Sequence, residues 1–404
     1  MELLEMIHFS ITALWHQKLR SFLTVLGIIV GISSVIILVG LVQGLKADVL
    51  SQLEDFGPRT IVISPTTPEG GGGVGPAAQF MPSSGKLFEK DFERVKKVAE
   101  IKSITKVTSG RTTLTYKDET IDATVFGIEA GIYDDTVPVE LDAGRFLKET
   151  DKRVAGLGSD IADGFDEDVK IQSSVYLSGR KFRVIGVLKP TGNQFAPLDN
   201  VVFIHYEDAK ELFNKSLLPN EISYIRMTLE EGTDVEKVAD EIDDIMMASH
   251  RVTEDTKDYT VVSPSFINER YTEILDLLTI FLGSIASISL IVGGIGISNT
   301  MFMSVMERRR EIGTMKAVGA DQVTIRNIFI TESAIIGFVG GLIGIISAAL
   351  AGLVLVQLLD ITFIYDPFVI AGAAVFSIGI GVMSGTFPAI EAARVDPIVA
   401  LRYE

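Results

Sequence analysis

The sequence predicts an α-helical membrane protein: four transmembrane helices plus one α+β extracytoplasmic domain, built of two β-α-β halves with an inserted β-rich subdomain. Three observations lead there. First, the charge is segregated. Of 404 residues 22% are charged, yet residues 21–45, 277–306, 333–359 and 367–390 contain no Asp, Glu, Lys or Arg. These runs of 25, 30, 27 and 24 residues all exceed the ~20 apolar residues a membrane-spanning helix needs. Second, residues 46–272 hold 27 Lys and Arg against 40 Asp and Glu, most of the net charge of −17, and mix β-prone runs with amphipathic helical ones. Third, the short loops differ in charge. Loop 307–332 carries Arg308, Arg309, Arg310, Lys316 and Arg326, whereas loop 360–366 carries only Asp360 and Asp366.

The elements follow in order. Residues 1–20 form a cytoplasmic N-terminal segment, with Lys18 and Arg20 just before the first span at 21–45. That span is longer than the ~7–15 apolar residues of a signal peptide, which argues for retention. The large domain, 46–272, lies outside. Spans two, three and four are 277–306, 333–359 and 367–390. The positive-inside rule places loop 307–332 and the tail 391–404 in the cytoplasm. The predicted location is the cell membrane, multi-pass, with both termini inside. Five GxxxG pairs (Gly27/Gly31, Gly40/Gly44, Gly337/Gly341, Gly340/Gly344 and Gly381/Gly385) predict close packing of helix backbones. No ionisable residue lies within the four runs, so a polar transport path through the bilayer is not expected.

In the large domain the first half (46–109) reads strand 60–64, helix 86–100, strand 103–108. The second (216–272) reads strand 222–229, helix 234–248, strand 257–263. Phe88, Phe92, Val95 and Ala99 form one helical stripe, and Val235, Val238, Ile242 and Ile245 the other. Two such halves share one sheet with both helices on one side. Residues 110–215 are strand-rich and punctuated by Gly, Pro and Asn, an inserted β subdomain. Segment 66–85 is Gly/Pro/Ser-rich without periodicity and reads as a loop. It lacks the GK[ST] and helix start of a phosphate cradle.

A search for chemistry returns little. The chain has no cysteine, which excludes disulfides, thiolate zinc sites and a Cys nucleophile. Net acidity argues against a nucleic-acid partner. His8, His16, His205 and His250 are not at metal-ligand spacing, and Asp163, Asp166, Glu167 and Asp168 do not match a calcium loop. No catalytic residue, cofactor or metal site is expected, and any energy source is another subunit. One segment stands out, the cytoplasmic run Glu307–Ala320. Ile312, Met315 and Val318 lie along one helical face, with Glu311 and Lys316 elsewhere and Gly313 and Gly319 interspersed. The run reads either as a topology anchor, with Arg308, Arg309 and Arg310 at the headgroups, or as a docking helix for a cytoplasmic partner.

The segment SLIVGGIGISNTMFMSVMERRREIGTMKAVGA (289–320) resembles the second span and coupling loop of the MacB/FtsX-like ABC transporter permeases. IFITESAIIGFVGGLIG (328–344), FPAIEAARVDPIVALRYE (387–404) and KLRSFLTVLGIIVGI (18–32) continue the likeness. FGIEAGIYD (126–134), AGRFLKETD (143–151) and FRVIGVL (182–188) resemble the family's extracytoplasmic core. The resemblance implies a permease that lacks a fused ATPase and is partnered by a separate cytoplasmic ABC ATPase. That ATPase would dock on Glu307, Arg308, Arg309, Arg310, Glu311, Ile312, Gly313, Met315, Lys316, Val318 and Gly319. It further implies a second permease copy, as homodimer or heterodimer, in the lipid bilayer, and allows an extracytoplasmic adaptor or client. The expected activity is export of a drug, peptide or lipoprotein-like substrate by mechanotransmission. The alternative is an FtsX-like, ATPase-driven regulator of an extracytoplasmic enzyme or sensor that transports nothing. A membrane-anchored binding protein without an ATPase is a third class, and the loop helix argues against it.

Overall fold

The computed structural model describes residues 18–65, 85–137, 139–192, 198–359 and 361–402. All but Gly85 of the loop expected at 66–85 lies outside them. The chain divides into a helical unit, Met1–Asp48 with Thr272–Glu404, and a β-rich unit, Val49–Tyr271.

Helix α1 (Lys18–Phe56) runs well past the charge-free stretch at 21–45. Its last turns place Val49, Leu53 and Phe56 in the core of the β-rich unit. It stops at Gly57, whose φ of +106° only glycine adopts without strain. The Gly57 N–H closes back on the Leu53 carbonyl at 3.1 Å.

The β-rich unit continues with β1 (Thr60–Pro65), β2 (Leu87–Phe88), α2 (Glu89–Val95), β3 (Ile101–Tyr116), β4 (Glu119–Ile128) and α3 (Tyr133–Thr136). Then come β5 (Leu141–Gly144), β6 (Val154–Leu157), α4 (Ser159–Asp163), β7 (Ser174–Leu177), β8 (Arg180–Leu188), β9 (Val201–His205) and α5 (Tyr206–Leu212). It closes with β10 (Glu221–Ile222), β11 (Tyr224–Leu229), α6 (Val235–His250) and β12 (Tyr259–Val262). Strands β12, β1, β11 and β3 lie side by side in that order, all antiparallel. The two halves, β1-α2-β3 and β11-α6-β12, therefore interleave as a split β-α-β arrangement. Alternate residues of these strands, Ile61, Ile63, Ile225, Met227 and Ile104, pack against Phe92 and Val95 of α2 and Val238, Ile242 and Met246 of α6. Both helices thus cover one face. At the end of α6, His250 sits between Asp258 (Nδ1, 2.8 Å) and Asp91 (Nε2, 3.3 Å), tying α6 to α2.

Two details differ from the sequence reading. The helix expected at 86–100 is α2 alone, Glu89–Val95, because Phe88 belongs to a strand and Asp91 accepts from the Phe88 N–H to start the helix there. A tight turn follows, with the Val98 N–H on the Val95 carbonyl. It brings Val98 into the core and leaves Ala99 exposed. Further on, the strand expected at 103–108 is the 16-residue β3, which does not stop at residue 109. Its first half pairs with β11, and its second half with β4 and β7. Pairing proceeds from β3 to β4, β9, β6, β8 and β7, and β7 returns to β3. These six strands form a closed barrel around Leu114, Val125, Leu157, Val175, Phe182, Val184 and Val202. Closure removes the exposed strand edges that an open insertion would present.

The helical unit is completed by α7 (Pro264–Glu307, which begins in the β-rich unit), α8 (Arg309–Ala317), α9 (Gln322–Leu359), α10 (Pro367–Arg394) and α11 (Pro397–Arg402). Helices α1, α7, α9 and α10 are long and apolar enough to cross a membrane. Small residues set their spacing. A side chain at Gly293 of α7 would sit 3.0 Å from the Gly27 carbonyl carbon of α1. Ile28 and Ile32 of α1 fill the space over Gly340 and Gly344 of α9. Between α9 and α10 the pattern is reciprocal: Ser333 faces Gly385, Gly337 faces Gly381, and Gly341 faces Ser377. Two antiparallel helices with the same Ser-Gly-Gly spacing of four bring their backbones into contact. The pair Gly40/Gly44 is the exception. It faces Thr362 and Phe363 of the α9–α10 connection rather than another helix. Ile364 N–H bonds to the Gly40 carbonyl at 3.2 Å, and the Thr362 hydroxyl to Asp48 at 2.6 Å, so the connection folds over α1.

Candidate functional site

The segment singled out in the sequence, Glu307–Ala320, forms the short helix α8 between α7 and α9. Arg308 marks the bend. Its φ of −96° and ψ of 17° fall in the sparsely allowed bridge region, yet its N–H still reaches the Ser304 carbonyl and its own carbonyl accepts from Ile312. The helix stops at Gly319 (φ +108°), where the Ala320 N–H returns to the Met315 carbonyl and the Gly319 N–H to that of Lys316, both at 3.0 Å. This is the double bond pattern of a glycine-terminated helix. Asp321 then accepts from the Thr324 N–H at 2.9 Å and starts α9.

The predicted stripe does not lie on one open face. Ile312 is fully buried in the core of the helical unit, and Met315 packs against the same core. Gly313 is buried too: a Cβ there would be 2.7 Å from the Ala400 Cβ of α11. The glycine allows close approach of the chain's own C-terminal helix, and Gly319 serves as the helix stop. Val318 alone of the stripe faces out, 86% exposed. It departs because the helix ends there, and the change of direction turns its side chain away from the core. Glu307, Arg310, Glu311, Thr314, Ala317 and Gly319 are exposed as well.

The charges are also placed differently from the headgroup reading. Arg308 points inward. Its guanidinium donates to Glu332 of α9 and to Glu311 of α8, each at 3.0 Å, and lies 5.4 Å over the ring of Phe329. Glu332 is 4% exposed. Arg309 is half-buried and Arg310 exposed. Lys316 donates to the carbonyls of Ala393 (2.6 Å) and Val395 (2.8 Å), at the C-terminal end of α10, where a cation also meets the negative end of the helix dipole. Helix α8 is therefore fastened to α9 by Arg308, to α10 by Lys316 and to α11 at Gly313. Sequence reading missed Glu332, Ala393, Val395 and Ala400. Glu332 left a signal, as an acid directly abutting a 27-residue uncharged run. The two carbonyls and the alanine left none.

Among the described residues the site presents exposed charged and apolar side chains. Its open face mixes Arg310, Glu311 and the apolar Val318, and α11 adds exposed Ile398, Val399 and Leu401. Behind that face, α8 is held rigidly to three helices.

Comparison with known proteins gives the following. A family profile described as the MacB-like periplasmic core domain matches residues 21–245, and one described as the FtsX-like permease C-terminal region matches 283–397. The chain is 32% identical to the uncharacterized ABC transporter permease YknZ of Bacillus subtilis, covering 100% of both chains. It is 29% identical to the uncharacterized ABC transporter permease MJ1507 of Methanocaldococcus jannaschii, over 99% of this chain and 98% of that one. It is 30% identical to the macrolide export ATP-binding/permease protein MacB of Bdellovibrio bacteriovorus, over 100% of this chain and 62% of that longer protein.

Proposed function

The chain belongs to the MacB/FtsX-like ABC transporter permeases, and from that premise we propose that it converts ATP hydrolysis in a separate cytoplasmic ATPase into movement of the β-rich unit outside the membrane. The spans carry no ionisable residue within their uncharged runs, so the machine needs no polar path through the bilayer. The β-rich unit faces outward and the α8 loop inward, by the excess of Lys and Arg in 307–332 over 360–366. Two permease chains work together, and the expected task is export of a drug, peptide or lipoprotein-like substrate.

The observation that carries the reading is the fastening of α8. A surface meant only as an anchor needs no bolt to three helices. A surface meant to receive a push does, because a load on a loose helix would be spent bending its loops. The ATPase meets the open face, with Val318 as apolar anchor and Glu311 and Arg310 setting register. The test is reconstitution in nanodiscs with the ATPase. The chain alone hydrolyses no ATP. Val318→Glu, at an exposed position, leaves the chain folded and weakens ATPase binding at least about tenfold. Wild-type stimulation by this variant would move the docking surface elsewhere.

A further inference from the structure

The β-rich unit holds a cation that the coupling site does not use. Arg226, in the middle of β11, is 5% exposed. No carboxylate among the described residues neutralises it; the titratable groups beside it are the neutral hydroxyls of two buried tyrosines, Tyr133 and Tyr224. Its Nη2 donates to the Phe56 carbonyl at 2.8 Å and its Nε to the Thr136 carbonyl at 3.2 Å. The guanidinium lies 4.8 Å over the Phe56 ring. Burial pushes the Arg226 guanidinium below its ordinary value and both tyrosines above theirs. A guanidinium nonetheless keeps its proton, so the charge stays.

A buried charge without a counter-ion is expensive, and packing alone has no use for one. The position of Arg226 supplies the use. Phe56 is the last residue of α1, and its carbonyl is one of the unsatisfied groups at the helix C-terminus. Those carbonyls carry the negative end of the helix dipole, which attracts a cation. Arg226 therefore grips α1 twice, by a charge-assisted bond to its final carbonyl and by the face of its final ring. The other arm of the same guanidinium holds α3. Since β11 is a central strand paired on both sides, the grip delivers α1 to the middle of the sheet.

We propose that Arg226 is a positioning residue that transmits displacement of α1 to the β-rich sheet. The proposal rests on the reading that ATP-driven movement reaches this unit. Helix α1 is one unbroken helix from Lys18 to Phe56, and its last turn ends in this grip. Without the grip the last turn would still be buried by Val49, Leu53 and Phe56, but apolar contacts slide where a directional charge-assisted hydrogen bond does not. The partner is internal, so the expected defect is specific. The permease binds and stimulates its ATPase while the β-rich unit no longer responds.

The test is hydrogen exchange of the full chain in nanodiscs with its ATPase, with and without a nonhydrolysable ATP analogue. In the wild type, nucleotide changes exchange both at α8 and in β3. Arg226→Met, of similar length and uncharged, keeps the α8 response and loses the β3 response by about fivefold or more. Arg226→Lys retains charge and one bond and keeps a partial β3 response. Phe56→Leu preserves the carbonyl and an apolar side chain but removes the ring, and serves as the second variant if Arg226→Met does not fold. It too is expected to reduce the β3 response. A full β3 response in a folded Arg226→Met or Phe56→Leu chain overturns the proposal and leaves the proposed function standing. Absence of any β3 response in the wild type overturns both.

Discussion

Arg308 separates what a charge in a sequence says from what it does. The run Arg308–Arg310 predicts the cytoplasmic side, since the positive-inside rule depends on where cations are and not on where they point. Direction is a matter of packing, and only Arg308 turns inward to Glu332. Removing Arg308 strands the buried Glu332, whereas removing Glu332 leaves Arg308 its bond to Glu311. Arg308→Met is expected to cost about 3–5 kcal/mol, Glu332→Leu less than that, and the double variant less than Arg308→Met alone. Thermal unfolding of the four members of the cycle in detergent checks this, and additive losses would mean the two side chains are not coupled. Gly313 makes the same point for an uncharged residue. Its spacing in the sequence suggested room for a partner, and the space is taken by Ala400 of the chain itself.

At the level of elements, period and pattern carried far. The α6 stripe is as expected at Val238 and Ile242, with Val235 and Ile245 partly buried beside them. Helix α2 was legible in type and not in length, since Phe88, Phe92 and Val95 fit a helix as well as a strand followed by a short one. The choice is made by Asp91 at the helix start, a local bond with no periodicity. Interactions between elements were not legible at all. Glu89 at the start of α2 accepts from Lys106 of β3 (3.4 Å), and from Lys210 (3.3 Å) and Tyr206 (3.2 Å) of α5. Burial raises the Glu89 carboxyl, but the two lysines outweigh it and hold it below its ordinary value. A carboxyl lowered on folding stabilises the fold above its unfolded pKa of about 4.3, and the contribution is lost as pH falls through the folded value. Exchange protection of α2 is therefore expected to drop as pH is lowered below about 4.3, and Glu89→Gln to flatten that limb. An unchanged acid limb in Glu89→Gln would place the sensitivity on another carboxyl.

For the molecule as a whole, four uncharged runs stated the spans before any contact was known, and two oppositely biased loops predict which side each loop faces. Single cysteines at Asn200 and Asp321, both exposed, test the resulting orientation in a chain with no native cysteine. Asn200→Cys is expected to react with an impermeant reagent added to intact cells, and Asp321→Cys only after lysis. Labelling of Asp321→Cys in intact cells would reverse the topology. The join between the split β-α-β layer and the barrel was the part least open to sequence reading, because strand propensity does not say which neighbour a strand takes. That join has a consequence for anyone recombining such proteins. An insertion is usually imagined as a cassette with two clean seams, yet here one seam falls in mid-strand, at residues 109–110 of β3, where each residue belongs to a ladder that continues on both sides. A barrel cut out there takes half of β3 with it and breaks the β3–β4 ladder, which starts at Val107 within the part that stays behind. Chimeras that exchange barrels between relatives will fold only when the whole of β3 travels with the graft. The strand, and not the subdomain, is then the smallest unit of inheritance in this region.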